Sequence, residues 1–276
     1  MMNFINSYGS NPFFQLLLSI VFGSVFMSIV FIYAQLKERY DIVDSAWGMT
    51  FLYIALMQFY VSTGGRHGGE EINTTRILVL TLVAVWAIRI SFHIFKRFMR
   101  SDEQDPRYTE IIDRWHGNTK VQAYLRIFIL QAALASIIVW PAVMIFNGAL
   151  FKVNLLVAIG VIVWLIGFIS ESIADKQLQE FVKIKANKGK LLKTGLWKYS
   201  RHPNYFGEIM QWWGIAIIAL NVHYGYVGLI GPLVLTYLIV SVSGLPPAER
   251  RSAKKPGWKQ YKENTSPLIP WYPTKS

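Results

Sequence analysis

Cysteine is absent from the 276 residues. Disulfides, thiolate nucleophiles and Cys-ligated zinc or iron–sulfur sites are therefore excluded. Charge is scarce as well. Only 16% of the residues are Asp, Glu, Lys or Arg, against about 25% in an average soluble domain. Neither GxGxxG nor GxxxxGKS/T occurs. No glycine-rich phosphate cradle is thus available, and any nucleotide must be held by side chains. There is no internal repeat of the kind from which many secondary transporters are built. Met1 to Leu36 carries no charged side chain. With no basic n-region and no clear cleavage site, MMNFINSYGSNPFF reads as the start of a retained helix rather than a signal peptide.

What is present is apolar: 53% of the chain is hydrophobic, and several runs exceed the roughly 18 residues needed to cross a bilayer. The pattern predicts an all-α integral membrane protein with a single domain over residues 1–276 and seven helices. These fall at Pro12–Gln35, Ile42–Ser62, Arg76–Phe98, Val121–Phe146 (kinked at Pro141), Lys152–Ile173, Asn204–Leu220 and Tyr226–Ser243. Thr63–Thr75 is a Gly-rich loop, and Asn147-Gly148-Ala149 a tight turn. The long third loop, 99–121, carries a short helix at Thr109–Trp115 behind Pro106. Pro246-Pro247 ends the last span.

The net charge of +12 follows the topology and not a nucleic-acid motif, so no nucleic-acid partner is inferred. Of the 28 Lys and Arg residues, 24 fall on one side of the seven-helix arrangement. The positive-inside rule then puts the N-terminus outside and the C-terminus in the cytoplasm. Loops 99–121 and 174–203 and the tail 244–276 gather on the cytoplasmic face. Membrane lipids are the expected neighbours, and no obligate protein partner is inferred.

The chemistry-bearing residues concentrate in GLWKYSRHPNYFGEIMQWWG, Gly195–Gly214. Charged and hydrogen-bonding groups at a membrane mouth are costly to keep. Asn204 and Glu208 lie one turn apart at a helix start, where free N–H groups favour anions. Trp212 and Trp213 read equally as an interfacial belt. Glu171 and Asp175 are spaced i, i+4 and share a face, able to accept hydrogen bonds from ribose or amide groups. A metal site is disfavoured, because no His and carboxylate cluster has ligand spacing. Asp44 reads either as a solvated helix-terminal acid or as a carboxylic acid facing the bundle interior. Trp86, Arg89 and His93 share one face of helix three. Arg89 there either snorkels or lines a polar cavity. Asp105-Pro106-Arg107-Tyr108 (DPRY) is by itself a weak motif.

Taken together, DSAWG, WAIR, DPRY, GFISESIADKQ, GLWKYSRHPNYFGE, SGLPPAE and YKENTSPLIPWYP resemble the steroid 5α-reductase family, especially its bacterial branch. That resemblance implies a seven-helix fold with an NADPH cavity facing the cytoplasm. It implies reduction of the C=C bond of a 3-oxo-4-ene steroid or similar lipophilic enone, by hydride transfer to the β-carbon. By the same resemblance Arg107, Tyr108, Glu171, Asp175, Lys190, Tyr199, Arg201, His202, Asn204, Tyr205 and Glu208 go to the cofactor. Glu249 and Arg250 fall near a family His that contacts it. Asp44, Trp86 and Arg89 go to the substrate end, with Asp44 as the acid near the carbonyl. The rival reading is an isoprenylcysteine-type or phospholipid methyltransferase using S-adenosylmethionine, which shares an RHPxY-like segment.

Overall fold

The computed structural model describes residues 11–64, 73–99, 103–149 and 151–274. The expectations for the N-terminal stretch before Asn11, for the Gly-rich loop at 65–72 and for residues 100–102 lie outside the described residues. The described chain is helical, and no strand occurs in it; one isolated bridge pairs Ser200 with Ser266. It divides into two compact units, Met1–Val153 with Ala219–Ile230, and Asn154–Ile218 with Gly231–Ser276.

In the first unit, α1 spans Pro12–Lys37. Asn11 caps it by accepting from the Phe13 and Phe14 amides at 2.9 and 3.2 Å. Glu38 ends it in the left-handed region, φ 54°. The polarity of α1 is inverted relative to a soluble helix. Phe13, Leu17, Val21, Val25, Ile29 and Ile32 are exposed, whereas Gln15, Ser19, Gly23 and Met27 are buried. Such a helix keeps its small and polar side for its neighbours. On that side Gln58 donates to the Gln15 carbonyl at 2.9 Å and to Ser19 Oγ at 2.8 Å. Gln58 belongs to α2, Ile42–Gly64, which packs against α1 and against α3, Thr74–Phe98.

Beyond α3 the short helix α4, Pro106–Ile112, is capped by Asp105, slightly earlier than the expected Thr109–Trp115. The expected fourth membrane helix is divided. Helix α5 runs Thr119–Ile138, with a π-helical turn at Tyr124–Ile129, and α6 runs Trp140–Asn147. Pro141 causes a break here rather than a kink: it lacks the N–H that would continue the ladder, and its ring crowds the preceding turn.

In the second unit, α7 spans Leu155–Lys183, ten residues beyond the predicted end, and α8 spans Pro203–Ala219. A short α9, Ile230–Tyr237, continues through a π-helical turn at Leu238–Val242. That helix ends at Val242, ahead of Pro246-Pro247 as expected, and the two prolines lie in the first turn of a further helix, α10, Leu245–Ser252. Proline is well suited to a first turn, where its missing N–H costs nothing. Helix α11, Trp258–Asn264, precedes the tail.

Among the described residues, six helices are long and apolar enough to cross a membrane: α1, α2, α3, α5, α7 and the stretch Gly225–Ser252. The expected seventh is α8. At 17 residues it measures about 26 Å, short of the roughly 30 Å hydrocarbon thickness.

Candidate functional site

The second unit is built on a close crossing of α7 and α8. A Cβ on Gly160 would sit 2.5 Å from the Gly214 carbonyl oxygen, and one on Gly167 2.5 Å from that of Gly207. Two glycines seven residues apart on each helix therefore let the backbones touch. Polar side chains just past this contact are forced together. Gln211 Nε2 donates to Glu171 Oε2 at 2.6 Å, with both residues buried. Asn204 Nδ2 donates to Asp175 Oδ1 at 3.3 Å, and Ser170 Oγ to the Pro203 carbonyl at 3.1 Å.

The segment between the two helices folds back on α7. Gln177 Oε1 accepts from the Leu196 amide at 3.0 Å, and Trp197 Nε1 donates to the Ala174 carbonyl at 3.2 Å. Tyr261 closes the other side, donating its hydroxyl to the Trp197 carbonyl at 2.6 Å. Burial raises the Tyr261 hydroxyl above its usual pKa, opposed by the charge of Arg201.

Arg201 is the hub. Its Nε and Nη2 reach Glu249 Oε1 at 2.9 and 2.6 Å, and its Nη1 reaches the Lys262 and Thr265 carbonyls at 2.9 and 2.5 Å. The guanidinium is buried, and its charge is spent on α10 and the segment after it. Next to it, His202 stacks on Tyr205 with centroids 5.4 Å apart. Burial lowers the His202 pKa to about 4; Glu249 opposes the shift, and Arg201 and Arg251 reinforce it. The 3.7 Å approach of His202 Nε2 to Glu249 is thus not an ion pair at neutral pH.

Arg201, His202, Asn204 and Tyr205 line a cavity of about 330 Å³ with Arg251, Lys255 and Trp258. Its volume is at the lower end of ligand pockets. Two buried polar atoms of lining residues, His202 Nε2 and Asn204 Oδ1, have no hydrogen-bond partner among the described residues. Such orphans are costly unless a ligand or water meets them. The Asn204 amide is oriented unambiguously, because a carboxylate can only accept. Nδ2 therefore faces Asp175, and Oδ1 is the atom left over. Arg251 and Lys255 are the cavity's uncommitted cations, with no carboxylate partner among the described residues. Anionic ligands with hydroxyl or amide groups fit this set of donors, acceptors and aromatic walls. Among the described residues, no three His, Asp or Glu side chains gather closely enough to ligate a metal ion.

A second polar cluster lies in the first unit. Asp44, at the start of α2, accepts from the Tyr108 hydroxyl at 2.5 Å and from Arg107 Nη2 at 2.8 Å, with Arg97 at 3.7 Å. Arg107 is also held by Asp105, through Nε at 3.0 Å and Nη2 at 2.9 Å. Burial tends to raise the Asp105 carboxyl, but the hydrogen bonds from Arg107 outweigh it and hold it below its usual pKa. The same bond raises Arg107 above its own, against burial. Burial and then the Asp44 charge push the Tyr108 hydroxyl well up, while Gln131 hydrogen-bonds to it.

The residues singled out in sequence thus separate into groups. Arg107 and Tyr108, expected with the cofactor residues, donate hydrogen bonds to Asp44, expected at the substrate end. Trp86 is 1% exposed and packs edge-on against Phe51 at 5.1 Å; Arg89 is half-buried on the same helix. Lys190 and Arg250 are exposed and do not line the cavity; the cation that does is Arg251, one residue on. Tyr199 receives the Trp271 amide on its carbonyl at 2.9 Å and thereby holds the tail. Glu208 is half-buried one turn below Asn204. Sequence reasoning missed Gln211, Trp258, Tyr261 and Lys255. The paired seven-residue glycine spacing was the available signal for the first of these.

The chain matches the family DUF1295, described as a protein of unknown function, over residues 30–265. It belongs to that family. This corrects the resemblance to the steroid 5α-reductases: DUF1295 is a distinct family, and short shared motifs do not outweigh a match along most of the chain. An uncharacterized protein of Schizosaccharomyces pombe is 23% identical over 233 residues, covering 74% of this chain and 64% of that protein. No solved structure matches.

Proposed function

We propose that this DUF1295-family chain is a multi-pass membrane reductase that takes NADPH in the cavity beside α7 and α8. It reduces the C=C bond of a lipophilic enone. The observation that carries this reading is the pair of buried, unpartnered atoms, His202 Nε2 and Asn204 Oδ1, in a cavity whose free cations are Arg251 and Lys255. A dinucleotide brings phosphates for the cations, ribose hydroxyls and a carboxamide for the orphans, and aromatic rings for Tyr205 and Trp258. S-adenosylmethionine has a sulfonium and no phosphate, so this basic cavity suits it less.

When bound, NADPH supplies a hydride for the β-carbon of the enone; the protein's task is to orient and to compensate charge. Arg251 and Lys255 hold phosphate. Asp175 fixes the Asn204 amide so that Oδ1 accepts from the cofactor. At low pKa, His202 stays neutral and adds no charge.

In this reading α8 makes a seventh crossing, the N-terminus is outside, and the cavity faces the cytoplasm of a bacterial cell. The one-sided distribution of Lys and Arg supports that orientation. Purified protein should oxidise NADPH when given a 3-oxo-4-ene steroid as a probe enone. Binding of S-adenosylmethionine alone, with no NADPH oxidation across a panel of enones, would sink the reading.

A further inference from the structure

The segment after α11 combines a fixed backbone with exposed apolar side chains. Ser200 Oγ donates to the Leu268 carbonyl at 2.7 Å, the Arg201 amide to Ser266 at 2.8 Å, and the Trp271 amide to Tyr199 at 2.9 Å. The Thr274 amide reaches the Asn264 carbonyl at 3.2 Å. Pro267, Pro270 and Pro273 stiffen the same stretch further. Yet Ile269, Trp271 and Tyr272 are 63%, 71% and 79% exposed. Holding a backbone in place while presenting large apolar groups outward is wasteful unless something receives them.

The position of the segment says what receives them. It hangs on Tyr199 and Ser200, and the neighbouring Trp197 is bonded to Ala174 on α7. Ala174 lies about 30 Å along α7 from Leu155, at 1.5 Å per residue. That is the distance over which a membrane helix completes its hydrocarbon crossing. Below that level α7 is apolar; from Glu171 onward it carries Glu171, Asp175, Lys176 and Glu180. The tail is therefore level with the membrane–water boundary. Trp and Tyr favour that boundary because each joins an apolar ring to a polar group. The nearby exposed cations Lys198 and Lys262 complement anionic headgroups.

We infer that residues 267–273 form a membrane-interface anchor, with Ile269, Trp271 and Tyr272 inserted at the headgroup–acyl boundary. By gripping the bilayer, the tail fixes Ser200 and Arg201, and through them the loop that carries His202. This inference does not depend on which ligand the cavity takes.

The absence of native cysteine makes a direct test simple. Ile269→Cys, Trp271→Cys, Tyr272→Cys and, as an aqueous reference on α11, Lys259→Cys are each nitroxide-labelled in full-length protein. The host is a nanodisc of phosphatidylcholine and phosphatidylglycerol. The ratio of oxygen to nickel-chelate accessibility should be at least about threefold higher at 269, 271 and 272 than at 259. Equal ratios would overturn the anchor. A label-free arm guards against misfolded variants. The fluorescence lost in Trp271→Phe should be the share quenched by lipids brominated near the headgroup. If that share is quenched by aqueous iodide and spared by the brominated lipids, the anchor is wrong.

Discussion

The Tyr108 hydroxyl donates to Asp44 Oδ1 at 2.5 Å, joining α4 to the start of α2. Tyr108 is itself part of a core with Met27, Val43, Phe128 and Ala132. The bond therefore lies at the edge of an apolar cluster and not in a solvated loop. Hydrogen bonds to charged groups contribute about 1.5–3 kcal/mol. Tyr108→Phe keeps the ring and removes the bond. It should lower unfolding stability in detergent by about that amount, and NADPH affinity should stay unchanged.

The same hydroxyl predicts a pH dependence. Its pKa is raised in the folded protein, so the folded state holds the proton more tightly than the unfolded one. The contribution is whole below the unfolded value of about 10 and is lost as pH rises above it. Alkaline titration of thermal stability should show a steeper decline for the native chain than for Tyr108→Phe.

His202 gives the opposite case. Its folded pKa is lowered to about 4 from 6.5. Its stabilisation is present above the unfolded value and is lost as pH falls from about 6.5 toward 4, on the order of 3 kcal/mol. His202→Asn should flatten the acid limb of stability over that window. An unchanged acid limb would contradict the lowered pKa of His202.

Arg201 and Arg251 differ in kind, although both line the cavity. Arg201→Ala strips Glu249 of its partner and should cost about 3–5 kcal/mol of stability. Arg251→Ala should leave the melting temperature nearly unchanged, since surface charges away from pairs contribute little. Differential scanning of the two variants checks the contrast.

Much of the fold was legible because membrane helices declare themselves by length and polarity. Pro12 marked the start of α1 and Pro106 that of α4, whereas the Asn73 cap, which starts α3 at Thr74, fell inside the expected loop. The seventh span rests on α8, whose apolar run continues into Leu220 and Val222 although the helix stops at Ala219. A hydropathy pattern does not register that stop. Pro246-Pro247 marked the end of one helix but not the start of α10, since proline ends one helix and begins the next with the same geometry. The i, i+4 pair Glu171 and Asp175 and the RHPNY segment were legible as a polar cluster, and the structure brings Asp175 to Asn204 beside the cavity. The Arg107–Asp44 pairing and the exchange of Arg250 for Arg251 were beyond reach. Both depend on how separate helices rotate, and no local spacing encodes that.

The central claim is that the His202–Asn204 cavity holds NADPH. Energy transfer from tryptophan to NADPH in the purified protein measures it directly. Saturable transfer is expected for the native chain, with none of the competition that S-adenosylmethionine would give if it shared the site. Asn204→Leu and Arg251→Ala should each weaken it about 5–100-fold, the equivalent of about 1–3 kcal/mol. No saturable NADPH transfer in the native chain, or equal affinity in both variants, would contradict the account.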